Sequence, residues 1–299
     1  MPNYYNEQTI LYVNGRFQRA ADTRVDLYSQ TLHYGYGVFE GIRSYATASG
    51  KTAIFKATEH YERLRISAEA LNMPYPFDTD ELIAATYLLL EKNGLTDAYI
   101  RPLVYAPANM SFAPNTESSI VIEAWKMEPF LGNKLLRVMS SSFQRPNPAA
   151  FKIHAKATGH YVNSILASQE AKSGGYDEAL LNDMHGYVAE GPGANIFYEK
   201  DGKLFTPKPG NILSGITRAT VMEICAERGI EVEERDCTTE ELLQADSAFF
   251  CGTAAEIIGW ESLDGKPFMK EWQHTLGSII QKAYKDKVTE KQSKLYPVQ

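Results

Sequence analysis

Cysteine is scarce in this chain, and basic charge is outnumbered. Cys225, Cys237 and Cys251 form no Cys-x-x-Cys pair and no zinc-type spacing. That excludes a disulfide framework and gives no metal motif, and it points to a reducing, cytoplasmic setting. Thirty Lys and Arg against 37 Asp and Glu leave a net charge of -7, without the basic face that nucleic acid requires. No apolar run is long enough to span a bilayer. The opening Met1-Pro2-Asn3-Tyr4-Tyr5-Asn6-Glu7 has neither the basic region nor the apolar core of a signal peptide. Repeats and low-complexity tracts are absent. So are Gly-x-x-x-x-Gly-Lys, His-Glu-x-x-His and Gly-x-Ser-x-Gly. Tyr34-Gly35-Tyr36-Gly37-Val38-Phe39-Glu40-Gly41 is glycine-bearing, but three residues separate Gly37 from Gly41, which is not the nucleotide-loop spacing Gly-x-Gly-x-x-Gly.

What is present is ordinary globular material: 299 residues, 44% hydrophobic and 22% charged, enough for one large or two modest domains. Asn14-Gly15 between Leu11-Tyr12-Val13 and Phe17 signals a hairpin. Strands are expected at 42–45, 52–56, 98–105 and 119–125, with Pro102 demoting the third to an edge or bulged strand. Thr58 is read as the cap of a helix with Tyr61, Leu64, Ala68 and Leu71 on its apolar face. Asp78 with Glu81 opens a second helix that ends near Gly94. Pro129 and Gly132 mark a linker over 126–134, dividing a small N-terminal domain (1–125) from a larger C-terminal one (135–299). Beyond the linker, strands are expected at 135–141, 179–182, 194–198, 230–234 and 247–251. Helices are expected after Lys156, over 216–228, from Thr238 and over 272–285.

Chemistry concentrates between Ile153 and Phe197. Lys156 stands among Ala155, Ala157 and Gly159, and Glu190 opens the turn Gly191-Pro192-Gly193. A lysine with room around it can form a Schiff base, and a carboxylate on a stiff turn can hold a cationic ring nitrogen. Pyridoxal 5'-phosphate (PLP) demands both. A lone lysine is ordinarily a solvated surface residue and a lone turn glutamate a loop cap; it is the pairing that favours the cofactor reading. Tyr161 could donate to a phenolate oxygen or sit on a helix face. Leu213-Ser214-Gly215-Ile216-Thr217-Arg218 opens a helix and could seat a phosphate on backbone N–H groups, or be a plain cap. Gly252-Thr253-Ala254-Ala255 could offer N–H groups to an anion, or simply end a strand. Arg63 suits a phosphate bidentately, though helix arginines are commonly just solvated.

Taken together, several motifs resemble the class IV, or fold type IV, PLP-dependent aminotransferases. Within them the branched-chain amino acid aminotransferases are most similar. They are His33-Tyr34-Gly35 with Val38-Phe39-Glu40-Gly41-Ile42-Arg43, Tyr99-Ile100-Arg101-Pro102, Lys156-Ala157 with Tyr161, Glu190-Gly191 with Asn195-Ile196-Phe197, Gly215-Ile216-Thr217-Arg218, and Gly252-Thr253-Ala254-Ala255-Glu256-Ile257. The resemblance covers nearly the whole chain. It implies an α/β protein of two α/β domains with PLP in the crevice between them.

It also implies roles. Lys156 would be the Schiff-base lysine and Glu190 the partner of the ring nitrogen. Tyr161 would bind the phenolate oxygen. Arg63, the Ile216 and Thr217 amides and Thr253 would hold the phosphate, with Leu213 against the ring. Tyr99 and the turn Thr253-Ala254-Ala255 would orient the substrate carboxylate. Arg101 would meet the side-chain carboxylate of glutamate. Tyr34 and Phe39 would wall the aliphatic pocket, Tyr34 or Phe39 reaching a neighbouring subunit, so that at least a dimer is implied.

The reaction expected is transamination between leucine, isoleucine or valine and 2-oxoglutarate. Where many relatives carry Trp-Gly-x-Tyr-Leu-Gly, this chain has Met127-Glu128-Pro129-Phe130-Leu131-Gly132, a change able to re-rank close substrates. Other readings on the same fold are a D-amino acid aminotransferase, an amine transaminase and an aminodeoxychorismate lyase. A PLP-free binding protein is the reading outside enzymology.

Overall fold

The computed structural model describes residues 4–127, 131–132 and 134–290. The chain start, residues 128–130 and 133 of the expected linker with Phe130 among them, and the polar tail from 291 lie outside the described residues. The chain divides into two compact units, Met1–Glu128 with Ala155–His160, and Pro129–His154 with Tyr161–Gln299. The segment carrying Lys156 therefore groups with the first unit, whereas the sequence reading puts it in the C-terminal domain.

In the first unit the strands are β1 (Ile10–Val13), β2 (Arg16–Arg19), β3 (Gly37–Phe39), β4 (Ile42–Ala46), β5 (Thr52–Ile54), β6 (Ala98–Tyr105) and β7 (Ser119–Lys126). The helices are α1 (Gln30–Tyr34), α2 (Ala57–Ala70) and α3 (Thr79–Lys92). Among the described residues the strands form one seven-stranded sheet, ordered β2-β1-β7-β6-β4-β5 with β3 also on β6. Asn14 and Gly15 turn β1 into β2 with φ of 45° and 86°, the double positive φ that a two-residue hairpin needs. One face of the sheet is apolar. Val38, Ile42, Ile100, Val104, Ile120 and Ile122 pack there against Tyr61, Leu64 and Ala68 of α2 and Leu82, Leu89 and Leu90 of α3. Side chains alternate along β6 and β7, so the other face carries Tyr99 opposite Trp125 and Arg101 opposite Glu123.

Two local expectations change. α2 begins at Ala57 with left-handed Lys56 (φ 50°) as its N-cap and no side-chain cap, so Thr58 is inside the helix. The chain leaves β5 only two residues earlier and must reverse at Lys56. β6 is a central strand, not an edge, and it tolerates Pro102. The Pro102 carbonyl accepts from the Glu40 N–H at 2.8 Å. In an antiparallel pairing a residue's N–H and C=O point to one side. The missing N–H thus faces the gap where β3 ends and β4 begins, and no ladder bond is lost.

The second unit holds β8 (Leu136–Gln144), β9 (Glu178–Asn182), β10 (Val188–Glu190), β11 (Asn195–Lys200), β12 (Lys203–Thr206), β13 (Val232–Glu234), β14 (Ser247–Gly252), β15 (Glu256–Leu263) and β16 (Lys266–Pro267). Its helices are α4 (Tyr161–Ser173), α5 (Ile216–Glu227), α6 (Thr239–Leu242) and α7 (Leu276–Val288). The strand order is β10-β9-β8-β15-β14-β11-β12-β13, with β16 on β15. Leu136, Val138, Leu180, Ile196, Phe250, Ile258 and Trp260 form its core. The helix expected from Trp272 is instead a 3-10 turn, Trp272–His274, followed by α7. Thr275 intervenes in an extended conformation and accepts the Ser278 N–H, which restarts the helix as a cap does. Among the described residues no helix is long and apolar enough to cross a membrane.

Candidate active site

Lys156 lies on an extended segment clamped beside β3. Val38 and Ala157 form an antiparallel bridge, and the Phe39 N–H donates to the Lys156 carbonyl at 3.0 Å. The Lys156 N–H donates to Ser67 Oγ on α2, also at 3.0 Å. Three residues on, the Gly159 N–H and the Thr158 hydroxyl both donate to the Gly35 carbonyl, at 3.0 and 2.6 Å. Gly35 has φ 65°, and a Cβ on it would sit 2.7 Å from the Gly159 Cα. The backbone approach that holds this segment down therefore requires glycine. Ala155 and Ala157 are buried and Lys156 is half-buried, whereas Lys152 and Lys172 are exposed. Lys156 Nζ lies 5.1 Å from the centroid of the Phe39 ring.

Arg63 is fixed by a buried carboxylate. Its Nε and one Nη donate to the two oxygens of Glu40 at 2.7 and 2.9 Å. Glu40 also takes His60 Nδ1 at 2.7 Å and the Gly41 N–H at 3.1 Å, and its side chain has no solvent exposure. Burial alone would raise the Glu40 pKa, but the charges and hydrogen bonds of Arg63 and His60 outweigh it and hold the carboxyl well below its usual range. Burial pushes the His60 imidazole below its ordinary value, against the pull of Glu40. The result is an arginine on a helix that points in one fixed direction, as a phosphate ligand should.

Arg101 completes the first unit's group. Its guanidinium carbon sits 4.5 Å from the Phe39 centroid, 5.3 Å from Tyr99 and 5.9 Å from Trp125. The Phe39 ring thus touches both Arg101 and Lys156. Arg101 donates to the Tyr99 hydroxyl at 3.3 Å. That hydroxyl lies over Gly41, where an added Cβ would meet it at 2.0 Å. Any side chain at 41 would displace Tyr99.

In the second unit, Glu190 ends β10 and is buried. It receives Asn195 Nδ2 at 3.0 Å and the Leu213 N–H at 3.2 and 3.3 Å to its two oxygens. Arg145 Nε lies 2.9 Å away, too poorly aligned for a directed hydrogen bond, so this contact is an ion pair by distance. Asn195 also donates to the Leu213 carbonyl at 3.0 Å, tying the loop before α5 to the Glu190 turn. α5 has Gly215 as its N-cap and no side-chain cap bond. Its first N–H groups, with the buried Thr217 just inside, suit an anion. Thr253, Ala254 and Ala255 form the tight turn between β14 and β15, where Gly252 pairs with Glu256. Tyr161 is the first residue of α4.

The residues named from the sequence thus fall into two groups. Lys156, Phe39, Tyr99 and Arg101 share one face of the first unit, with Arg63 held by Glu40 on the adjoining helix. In the second, Glu190 and Leu213 are joined through Asn195, and Ile216 and Thr217 open the helix that follows. Tyr34 stands apart: it is half-exposed, and its described contacts are with Met110, His33 and Phe112. Reading the sequence alone assigns no role to Glu40, His60, Arg145 or Asn195. Glu40 and Asn195 stand in motifs it singles out, but their partners lie elsewhere in the chain. Arg145 carries no local signal.

A flexible amine beside small residues, a buried carboxylate and two anion seats are the donor set that PLP requires, and these residues fit that cofactor. The chain belongs to the class IV aminotransferase family: the Amino-transferase class IV model matches residues 37–263. Members of this class are PLP-dependent, and the fold is fold type IV. Over 288 residues the chain is 41% identical to the branched-chain-amino-acid aminotransferase of Pseudomonas aeruginosa, covering 94% of each. The crystal structure of the branched-chain aminotransferase from Thermoproteus uzoniensis with norvaline matches with a TM-score of 0.91 at 36% identity, covering 95% of each chain. That of the branched-chain amino acid aminotransferase from Thermobaculum terrenum in its PLP form matches with a TM-score of 0.88 at 34% identity, over 96% of this chain and 95% of that one.

Proposed function

We propose that the protein catalyses reversible transamination between the branched-chain L-amino acids (leucine, isoleucine, valine) and 2-oxoglutarate. When bound, PLP supplies an electron sink for charge developing at the substrate alpha carbon. Lys156 Nζ holds the cofactor, then removes and returns the alpha proton. Arg63, the amides of Ile216 and Thr217 and the side chain of Thr253 bind the phosphate. Glu190 faces the ring nitrogen, Tyr161 the phenolate oxygen and Leu213 the ring. Tyr99 and the Thr253-Ala254-Ala255 turn orient the substrate carboxylate. Phe39 receives the aliphatic side chain and Arg101 the second carboxylate of glutamate, while Tyr34, exposed in its own chain, reaches the pocket of a neighbouring subunit.

One observation carries this reading: Lys156 and Arg101 flank the same Phe39 ring. A proton-transfer amine, an apolar wall and a carboxylate receptor adjoin, as a substrate that is aliphatic in one half-reaction and dicarboxylic in the other demands. The same reading includes a homo-oligomer, at least a dimer, working in the cytoplasm. Leu27, Tyr28, Leu32, Met110 and Phe112 leave large apolar surface exposed on the first unit, which suits an interface.

Borohydride reduction of the PLP-loaded protein, followed by peptide mapping, tests the cofactor assignment. A pyridoxyl label on Lys156 is expected, and a label on Lys152 or Lys172 overturns it. Assays with L-leucine, D-alanine and a chiral amine test the substrate. Turnover of D-alanine without L-leucine would replace this reading with a D-amino acid aminotransferase.

A further inference from the structure

Arg101 meets no carboxylate within ion-pair distance among the described residues, yet a carboxylate faces it across the sheet. Glu123 is the direct register partner of Arg101 between β7 and β6, so both side chains rise from the same face, with Cβ atoms roughly 5 Å apart. Tyr99 and Trp125 form the next pair on that face, their rings 5.2 Å apart. The Arg101 Nε is buried without a hydrogen-bond partner. The guanidinium is therefore held by aromatic faces and the Tyr99 hydroxyl, with one anionic neighbour at longer range. Glu123 is itself largely withdrawn from water, and the charge that offsets the effect of its burial is that of Arg101.

We propose that Glu123 determines specificity by acting through Arg101. This rests on the branched-chain reading above and deepens it. An aminotransferase of this type must accept an aliphatic side chain and a carboxylate at one position. When the aliphatic chain is present, an arginine without a countercharge would be left in an apolar, poorly hydrated place, which is costly. Glu123 supplies that countercharge without closing on the guanidinium, so Arg101 stays available. When a dicarboxylate arrives, its distal carboxylate must share Arg101 with Glu123 and is repelled by it. Glu123 therefore stabilises the aliphatic complex and weakens the dicarboxylate complex. It is a positioning residue and touches no reacting atom.

The test uses the PLP-loaded protein and two unreactive probes, glutarate and 4-methylpentanoate, titrated calorimetrically well above the carboxylate pH range so that Glu123 is ionised. In Glu123→Gln, which keeps the shape and removes the charge, glutarate binding tightens by about tenfold, while 4-methylpentanoate is unchanged or weaker. KM for 2-oxoglutarate falls in parallel, with kcat for leucine nearly unaltered. Glu123→Asp, with the charge restored, returns the parent's glutarate affinity. In an Arg101→Gln background the Glu123→Gln effect disappears, because the coupling runs through that side chain. If both probes move together, or neither moves, Glu123 is only structural and the inference fails. A parent protein that binds neither probe, or does not turn over L-leucine, instead sinks the branched-chain reading and this inference with it.

Discussion

Glu40 accepts four hydrogen bonds at a position with no access to solvent. Such a carboxylate aims its partners more than it stabilises the fold. A buried ion pair roughly offsets its own desolvation, but breaking one side leaves a stranded charge and costs about 3 kcal/mol. Glu40→Gln should therefore lower the unfolding free energy by about 3 kcal/mol, read by chemical denaturation. It should also weaken PLP retention, read by equilibrium dialysis, because Arg63 loses its fixed heading. Unchanged PLP affinity would mean that Arg63 does not hold the phosphate. Lys156→Ala bears on the proton transfer itself. Its kcat should fall by at least about 100-fold, and borohydride should no longer fix a label on the 152–160 peptide. These roles differ in how far they can be read from the sequence. Lys156 stands out because its neighbours are small. Glu40 does not, because His60 and Arg63 are 20 and 23 residues away and a strand-end glutamate is ordinarily solvated.

Elements whose cause is local are legible in the sequence. The Asn14-Gly15 hairpin, the Asp78 cap and the capping box of Thr238 with Glu241 all appear where their spacing puts them. Elements whose rank depends on distant pairing are not. β6 contains a proline and is still central, because β3 and β4 leave a gap beside Pro102. β15 escapes a pattern reading because it has glycine, glutamate and serine inside it, yet it joins β8 to β14. The segment 155–160 is the consequential case. Nothing in its composition ties it to residues 35–39, and the Gly35–Gly159 approach does so in three dimensions. Gly35→Ala should thus act on an element rather than on a side chain. The left-handed φ and the 2.7 Å clash together should cost at least about 2 kcal/mol. Loosening the Lys156 segment should lower kcat more than it raises KM. A Gly35→Ala protein with parental kcat and stability would show that the clamp does not position the lysine.

At the scale of the whole molecule, the charges buried in the first unit set how stability follows pH. Glu40 is held well below its usual range, and His60 below its own. For a group whose pKa is depressed by folding, the stabilisation is full above the unfolded value and lost as pH falls. The His60 contribution should begin to fade near the ordinary imidazole value of 6.5, because the unfolded chain then binds a proton that the folded one resists. The Glu40 contribution follows below the ordinary carboxylate value of 4.5. Glu123 and Glu178 run the other way. Burial raises both, so their stabilisation grows as pH falls, but each is less enclosed than Glu40 and makes no bidentate pair. Asp177 in the second unit acts in the same direction as Glu40, its carboxyl held down by Arg137 and Lys134, but those pairs are more open to solvent, so Glu40 should carry the larger share. Calorimetric melting of the apoprotein should give a midpoint that is level in neutral to mildly alkaline buffer. It should decline from about pH 6.5 and steepen below about pH 4.5. Glu40→Gln, with a lower midpoint throughout, should have a shallower lower limb, keeping only the part that Asp177 and the more exposed Glu62 and Glu170 carry. A parent midpoint that rises between about pH 6.5 and 4.5 would mean that the raised carboxyls outweigh His60, and a lower limb of Glu40→Gln as steep as the parent's would mean that Glu40 is not the charge on which this unit's acid stability turns.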